Sequence, residues 1–168
     1  MGASGGWPEG GGGSAFLKIG SEGELGTLPG MPVGAEVEVE ENGQRFIGVG
    51  SPRREIALRL GWTQDNVWLP QSALSRMLSR RSIFPDLLAA VEALLLFAFS
   101  VHTDRELEQG AYFVITGDSL RERGLLKSRT APFVDGVVES RQVQGGSYLR
   151  LFHCGPAKHV KGGNQLWP

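Results

Sequence analysis

The sharpest alternation in the chain surrounds an Asn-Gly step. Val37 and Val39 alternate with Glu36, Glu38 and Glu40, Asn42-Gly43 follows, and residues 45–49 return. That pattern predicts a β-hairpin, because Asn-Gly readily adopts the positive-φ pair that a tight turn demands. The outer face of its first strand is acidic and would repel a phosphate backbone. Three helical patterns come next. Residues 51–60 carry Ser51 as N-cap, Pro52 at the first position, apolar Ile56, Leu58 and Leu60, and Gly61 as the stop. After a short extended piece at 66–69, residues 70–81 place Leu74, Met77 and Leu78 on one face, with Arg76, Arg80 and Arg81 elsewhere. Those arginines suit a solvated helix end facing the dipole, with phosphate contact as the other reading. The third helix, 85–99, is apolar nearly all round, which predicts burial on most sides. Strand patterns then occupy 100–103, 111–116, 133–144 and 147–153, with turns at Gln109-Gly110, Gly117-Asp118 and Gly145-Gly146. The order implies an α+β fold: an N-terminal β-hairpin and three helices packed on a C-terminal antiparallel sheet.

Composition divides the chain further. Its 168 residues, 40% hydrophobic, suffice for one core. Residues 1–14 read as a disordered Gly-rich leader, either an introduced linker or a natural tether, with Trp7 its one sticky side chain. Residues 15–50 form the hairpin region, 51–161 the α+β domain, and 162–168 a C-terminal tail. The apolar run 87–101 contains Glu92 and falls short of the roughly 20 residues that span a bilayer, so it reads as a core helix and no membrane contact is expected. No secretory signal is legible. Cys154 stands alone, which removes an intrachain disulfide and a cysteine-based zinc site and makes a cytoplasmic location the default.

Charge changes the picture only locally. The whole chain has a formal net charge of -1, yet from Arg121 onward eight Lys/Arg face three acids, about +5. Such polarisation suits a local polyanion contact. Alternation puts Leu149, Leu151 and His153 on one side of a strand and Tyr148, Arg150 and Phe152 on the other. His153 is therefore expected at the rim of the core, as a catalytic base or as a hydrogen-bonded structural histidine. His159 lies between Lys158 and Lys161 in a segment whose Gly162-Gly163 predicts mobility, able to close on a phosphate or merely solvated. Lys127, Ser128, Arg129 and Thr130 concentrate donors in one loop: Arg129 for bidentate phosphate contact, Lys127 as a point charge, Thr130 through its hydroxyl. Arg141 and Arg150 fall on facing strands, with Tyr148 beside them to stack a base. His102 is expected to bond Asp104 and to be structural. Asp104, Glu106 and Glu108 read as a solvated turn rather than a divalent-ion site. No Walker loop, dinucleotide fingerprint, H-E-x-x-H or EF-hand spacing is present, and no cofactor or metal is implied.

The succession of a helix ending in Leu60-Gly61, an extended Val67-Trp68-Leu69, a helix ending near a proline, and strands finishing in residues 148–153 (YLRLFH) resembles the barnase, EndoU, colicin and RelE-like ribonuclease superfamily. More narrowly it is similar to toxin domains carried by phages and mobile elements. The likeness covers about residues 54–161. It implies a metal-independent endoribonuclease that cleaves RNA by transphosphorylation, with delivery into a host cell and RNA and an immunity or virion protein as candidate partners. Where that group carries Lys-His and His-Pro around its second helix, this chain has Ser75-Arg76-Met77 and Phe84-Pro85.

Two function classes follow. In the first, His153 and His159 exchange protons while Lys127, Arg129 and Arg141 hold the phosphate, aided by Tyr148, Arg150, Thr130, Lys158 and Lys161. In the second, the same basic face belongs to a non-catalytic nucleic-acid- or protein-binding module, or to a structural component of a phage particle. Metal-free RNA cleavage needs a base, an acid and cationic donors in one place. Convergence of His153, Lys127 or Arg129, and Arg141 on one cleft favours the enzyme, and scatter favours the module.

Overall fold

The hairpin region and the C-terminal strands belong to one sheet. The protein is described by a computed structural model covering residues 16–19, 36–39, 44–62, 66–79, 83–143 and 146–168. In chain order the elements are β1 (Phe16–Ile19), β2 (Glu36–Val39), β3 (Gln44–Gly50), α1 (Arg54–Leu60), β4 (Val67–Pro70), α2 (Gln71–Ser79), α3 (Leu87–Phe97), β5 (Ser100–Thr103), β6 (Gly110–Thr116), α4 (Gly117–Glu122), β7 (Phe133–Val143), β8 (Gly146–Ala157) and β9 (Gln165–Trp167). The fold is α+β, with helices joined to a nine-stranded sheet in the order β1-β2-β3-β4-β8-β7-β6-β5-β9. The sheet is mixed rather than purely antiparallel, because β1 lies parallel to β2 and β4 lies parallel to β8. Strand β4 is the splice: it pairs with β3 on one side and β8 on the other, so the hairpin extends the C-terminal sheet.

The hairpin pairing is as the alternation predicts, β2 antiparallel to β3 with Val39 opposite Gln44. Its Asn42-Gly43 turn, the acidic face of its first strand, the Gly-rich leader, Arg80 and Arg81 lie outside the described residues or their described side chains. Helix α1 begins later than Ser51-Pro52 predicts. The Arg53 N–H donates to the Leu95 carbonyl at 3.1 Å, which ties this segment to the end of α3 before the helix starts. Gly61 ends α1 in the left-handed region at φ 71°, as its position predicts. Pro70 pairs with Phe46 as the last residue of β4, so α2 opens one residue later. Asp86 caps α3 by accepting the Ala89 N–H at 3.1 Å, an interaction typically worth about 1 kcal/mol.

Helix α3 is the centre of the core. Leu87, Ala90, Val91, Ala93, Leu94 and Leu95 are all buried, and most of them meet Phe113, Ile115, Val134, Val138, Leu149 and Leu151 from the sheet in one apolar cluster. Each such Val, Leu or Ile contributes about 1.5–3 kcal/mol when fully withdrawn from water. Gly136 is the contact point: a Cβ there would stand 2.7 Å from Leu94 Cδ2 and 2.8 Å from the His153 carbonyl oxygen. Among the described residues no helix is long and apolar enough to cross a membrane.

Three stretches differ from the sequence reading. Where Gly117-Asp118 predicts a turn, the chain forms α4, capped by Thr116 Oγ1 accepting from the Ser119 N–H at 3.2 Å. Strand β8 continues past His153 to Ala157. Its partner ladder on β7 runs on to Phe133 opposite Ala157, whereas β4 pairs with β8 only at Leu149 and Arg150. A strand with one free side tolerates Pro156. Finally, the tail closes the sheet as β9, with Trp167 opposite Val101 and Gln165 opposite His102.

Candidate functional site

Beyond Leu151 the two sides of β8 diverge. The chain of β4 turns into α2 after Pro70, and a cleft of about 200 Å³ opens there, lined by Ala73, Arg76 and Met77 of α2 and by Arg150, Leu151, Phe152 and His153 of β8. The strand is irregular at the same place. Val138 faces Leu151 and Val137 faces His153, so Phe152 is an extra, unpaired residue, a β-bulge.

That bulge decides where His153 points. Leu149 and Leu151 join the helix-side core, as alternation predicts, but the inserted Phe152 resets the phase and Cys154 takes the next core position. His153 is thereby transferred to the face away from the helices, a correction to its expected place at the core rim. Residues directly opposite on neighbouring strands share a face. On this face one row runs His102, Tyr112, Val137, His153 and the next runs Ser100, Val114, Asp135, Gly155 across β5, β6, β7 and β8.

At the meeting of these rows lies a polar chain. The Tyr112 hydroxyl donates to Asp135 Oδ2 at 2.5 Å, and the Lys161 backbone N–H donates to the Tyr112 oxygen at 3.2 Å. The second carboxylate oxygen, Asp135 Oδ1, stands 3.4 Å from His153 Nε2 and has no hydrogen-bond partner among the described residues. Asp135 is buried, whereas the His153 side chain is about half exposed. Burial, then the bond to Asp135, raises the Tyr112 pKa well above the ordinary phenol range, so this hydroxyl keeps its proton. Burial pushes the Cys154 thiol up to about 12, with the Asp135 charge adding to the effect. The imidazole lies against the backbone of its own strand because residue 155 has no side chain.

The segment after β8 is anchored, not mobile. Besides the Lys161 contact, Arg105 Nε donates to the Gly162 carbonyl at 3.0 Å, the Gly163 N–H to Thr103 O at 2.8 Å, and the Thr103 N–H to Asn164 O at 2.8 Å. Gly162, at φ +62°, packs so close to His102 and Tyr112 that a Cβ would meet His102 Cβ at 2.6 Å. His159, Lys158 and Lys161 project from this strap as exposed residues.

The other sequence candidates divide. Arg150 is in the cleft beside His153, and its Nε is buried with no hydrogen-bond partner among the described residues. Arg76 joins it from α2. Tyr148 cannot stack a base, since it is fully buried and packs edge-to-face on Phe46 at 5.7 Å. Arg141, opposite Tyr148 on β7, is half-buried and does not line the cleft. Lys127, Arg129 and Thr130 are exposed in a loop tied to the helix layer. The Lys127 N–H donates to Ile83 O at 2.8 Å, Ser128 Oγ accepts from the N–H groups of Thr130 and Ala131, and Arg121 donates to the carbonyls of Ser128 and Ala131. This loop does not line the His153 cleft.

His102 bonds Ser100 Oγ at 3.0 Å rather than Asp104. Asp104 instead accepts the N–H groups of Glu106 and Leu107, closing a turn. Asp135 and Tyr112 are site residues that the sequence reading does not single out. The available signal is a carboxylate inside the apolar run Val134-Asp135-Gly136-Val137-Val138, where an acid is rarely buried without a partner. No family model, curated protein or solved structure matches the chain.

Proposed function

We propose that the chain is a metal-independent endoribonuclease domain whose reacting centre is His153, in keeping with the toxin-type resemblance of its sequence. The observation that carries the reading is an imbalance of partners along β8, whose residues 150–153 line the cleft. An imidazole is backed by a buried carboxylate at 3.4 Å, next to an arginine whose Nε is buried and unpartnered among the described residues. A buried donor without a partner costs about 1–3 kcal/mol.

In this mechanism His153 takes the proton of a ribose 2′-hydroxyl, and Asp135 orients the ring and stabilises the imidazolium that forms. The 2′ oxygen attacks the adjacent phosphorus, the bond from phosphorus to the 5′ oxygen breaks, and a 2′,3′-cyclic phosphate results. His159, an exposed residue of the strap that does not line the cleft, is assigned the return of a proton to the departing 5′ oxygen. Arg150 and Arg76 hold the phosphate and its developing charge. Lys127 and Arg129 are left outside this centre, as distant contacts to the strand.

The second reading, a non-catalytic module that binds nucleic acid, has the scatter criterion on its side, since Lys127, Arg129 and Arg141 do not line the His153 cleft, and it draws also on Ser75-Arg76-Met77 and Phe84-Pro85 at the positions named above. One assay separates the two. Incubation with a mixed pool of tRNA and single-stranded RNA in EDTA should yield cyclic-phosphate products. His153→Ala should lower the rate by about 10²–10⁴-fold, and Arg150→Ala should lower it too, while Arg129→Ala changes it little. Binding of the pool without cleavage would select the module instead.

A further inference from the structure

We propose that Phe152 is a base-stacking platform, so that the cleft takes a single-stranded RNA segment with an unstacked base rather than a duplex; this rests on reading the cleft as a phosphodiester site. Phe152 is 52% exposed, an unusual state for a phenyl ring in the middle of a long strand. It has no ring partner among the described residues, whereas the aromatic side chain the sequence offered for stacking, Tyr148, is packed on Phe46.

The bulge accounts for that exposure. Were β8 regular, Phe152 would follow Leu151 into the ladder opposite β7; as the extra residue, it has no partner across the pair. It also stands on the part of β8 that β4 no longer flanks, between Arg150 and His153 in the lining of the cleft. An apolar ring on an uncovered strand edge is an aggregation liability that proteins usually remove. Here Phe152 lines the cleft together with Arg150 and His153, a combination suited to a nucleotide held by its phosphate and its base face at once. In an A-form duplex both faces of each base are already stacked, so a lone ring gains nothing from it.

The test uses the full chain and a single-stranded 2′-deoxyribo-oligonucleotide carrying 2-aminopurine, whose fluorescence reports stacking. Lacking the 2′-hydroxyl, this probe cannot be cleaved, so stacking is read independently of catalysis. The wild type should bind and quench the probe, Phe152→Ala should bind about tenfold or more weakly and lose the quench, and Phe152→Tyr and Phe152→Trp should restore both. The same sequence in duplex form should bind more weakly and be indifferent to residue 152. Equal binding by wild type and Phe152→Ala, no binding by any form, or a duplex preference overturns the inference. RNA cleavage measured in parallel separates the two ideas. Quenching without cleavage keeps the platform and removes the catalytic reading, and His153-dependent cleavage indifferent to Phe152 does the reverse.

Discussion

Gly155 makes room for the imidazole of His153: a Cβ at position 155 would stand 3.2 Å from Cε1 and 3.5 Å from Nε2 of that ring. The ring lies over the strand two residues ahead and so comes within reach of Asp135, which is paired with Gly155 across the ladder. Gly155→Ala should therefore push the imidazole off the carboxylate while leaving the core in place. In the cleavage assay kcat should fall about tenfold or more, with KM and Tm nearly unchanged. A Tm loss of many degrees with normal kcat in the remaining folded protein would show that Gly155 serves packing alone.

Tyr112 holds the other side of the carboxylate. Removing its hydroxyl in Tyr112→Phe leaves Asp135 Oδ2 without its donor inside the sheet and the Lys161 N–H without its acceptor. Leaving a buried carboxylate oxygen unpaired costs about 1–3 kcal/mol, which urea denaturation would register as a lower midpoint at unchanged m. The strap should loosen as well. Faster amide exchange at Lys161 and Gly163 in Tyr112→Phe is the accompanying expectation, and wild-type exchange there would disprove the link.

Much of this architecture is legible locally. The β2–β3 pairing, the Gly61 stop and the largely apolar α3 depend on signals a few residues wide, and each places its element correctly. The site depends on contacts across the chain. Tyr112 and Asp135 are 23 residues apart in sequence and meet because β6 and β7 pair, and Tyr148 is buried by Phe46 from a strand far upstream. The orientation of His153 turns on one inserted residue. A pattern of strict alternation carries no mark of a bulge, so it assigns His153 to the wrong face. Pro156 likewise argues for an end to β8 unless the free side of the strand is known.

Alkaline pH should weaken the fold through Cys154. The folded state keeps its thiol proton up to about 12, while the unfolded chain releases it near the ordinary 9.0. Between these values the native state binds more protons than the unfolded one, so stability is full below about pH 9 and declines as pH rises toward 12. The slope approaches ~1.4 kcal/mol per pH unit for one such group. Tyr112, raised in the same direction, adds to the decline at higher pH. Urea midpoints measured from pH 8 to 10.5 should fall in the wild type and fall less steeply in Cys154→Ala; equal slopes would remove Cys154 as a cause. Ellman's reagent should react with the thiol only as the chain unfolds.

The last strand offers a test of how the two ends of the α+β body are held. Trp167 pairs with Val101 in the ladder, packs against the helix-side core, and has the Arg53 guanidinium 4.4 Å from its ring centroid. Arg53 precedes α1, and its own N–H is bonded to Leu95, so this one ring joins the edge of the sheet to the start of α1 and the end of α3. Trp167→Ala removes a large apolar area and a cation–π contact worth about 0.5–1 kcal/mol at an exposed site. The combined loss should be about 2–3 kcal/mol, seen as a lower urea midpoint. Trp167→Phe should recover much of it by keeping the ring. Because β9 pairs with β5, on the far side of β6 and β7 from the cleft, His153-dependent cleavage at a permissive temperature should survive Trp167→Ala in the folded fraction. Loss of cleavage without loss of stability would place Trp167 in the working site and contradict this division of labour.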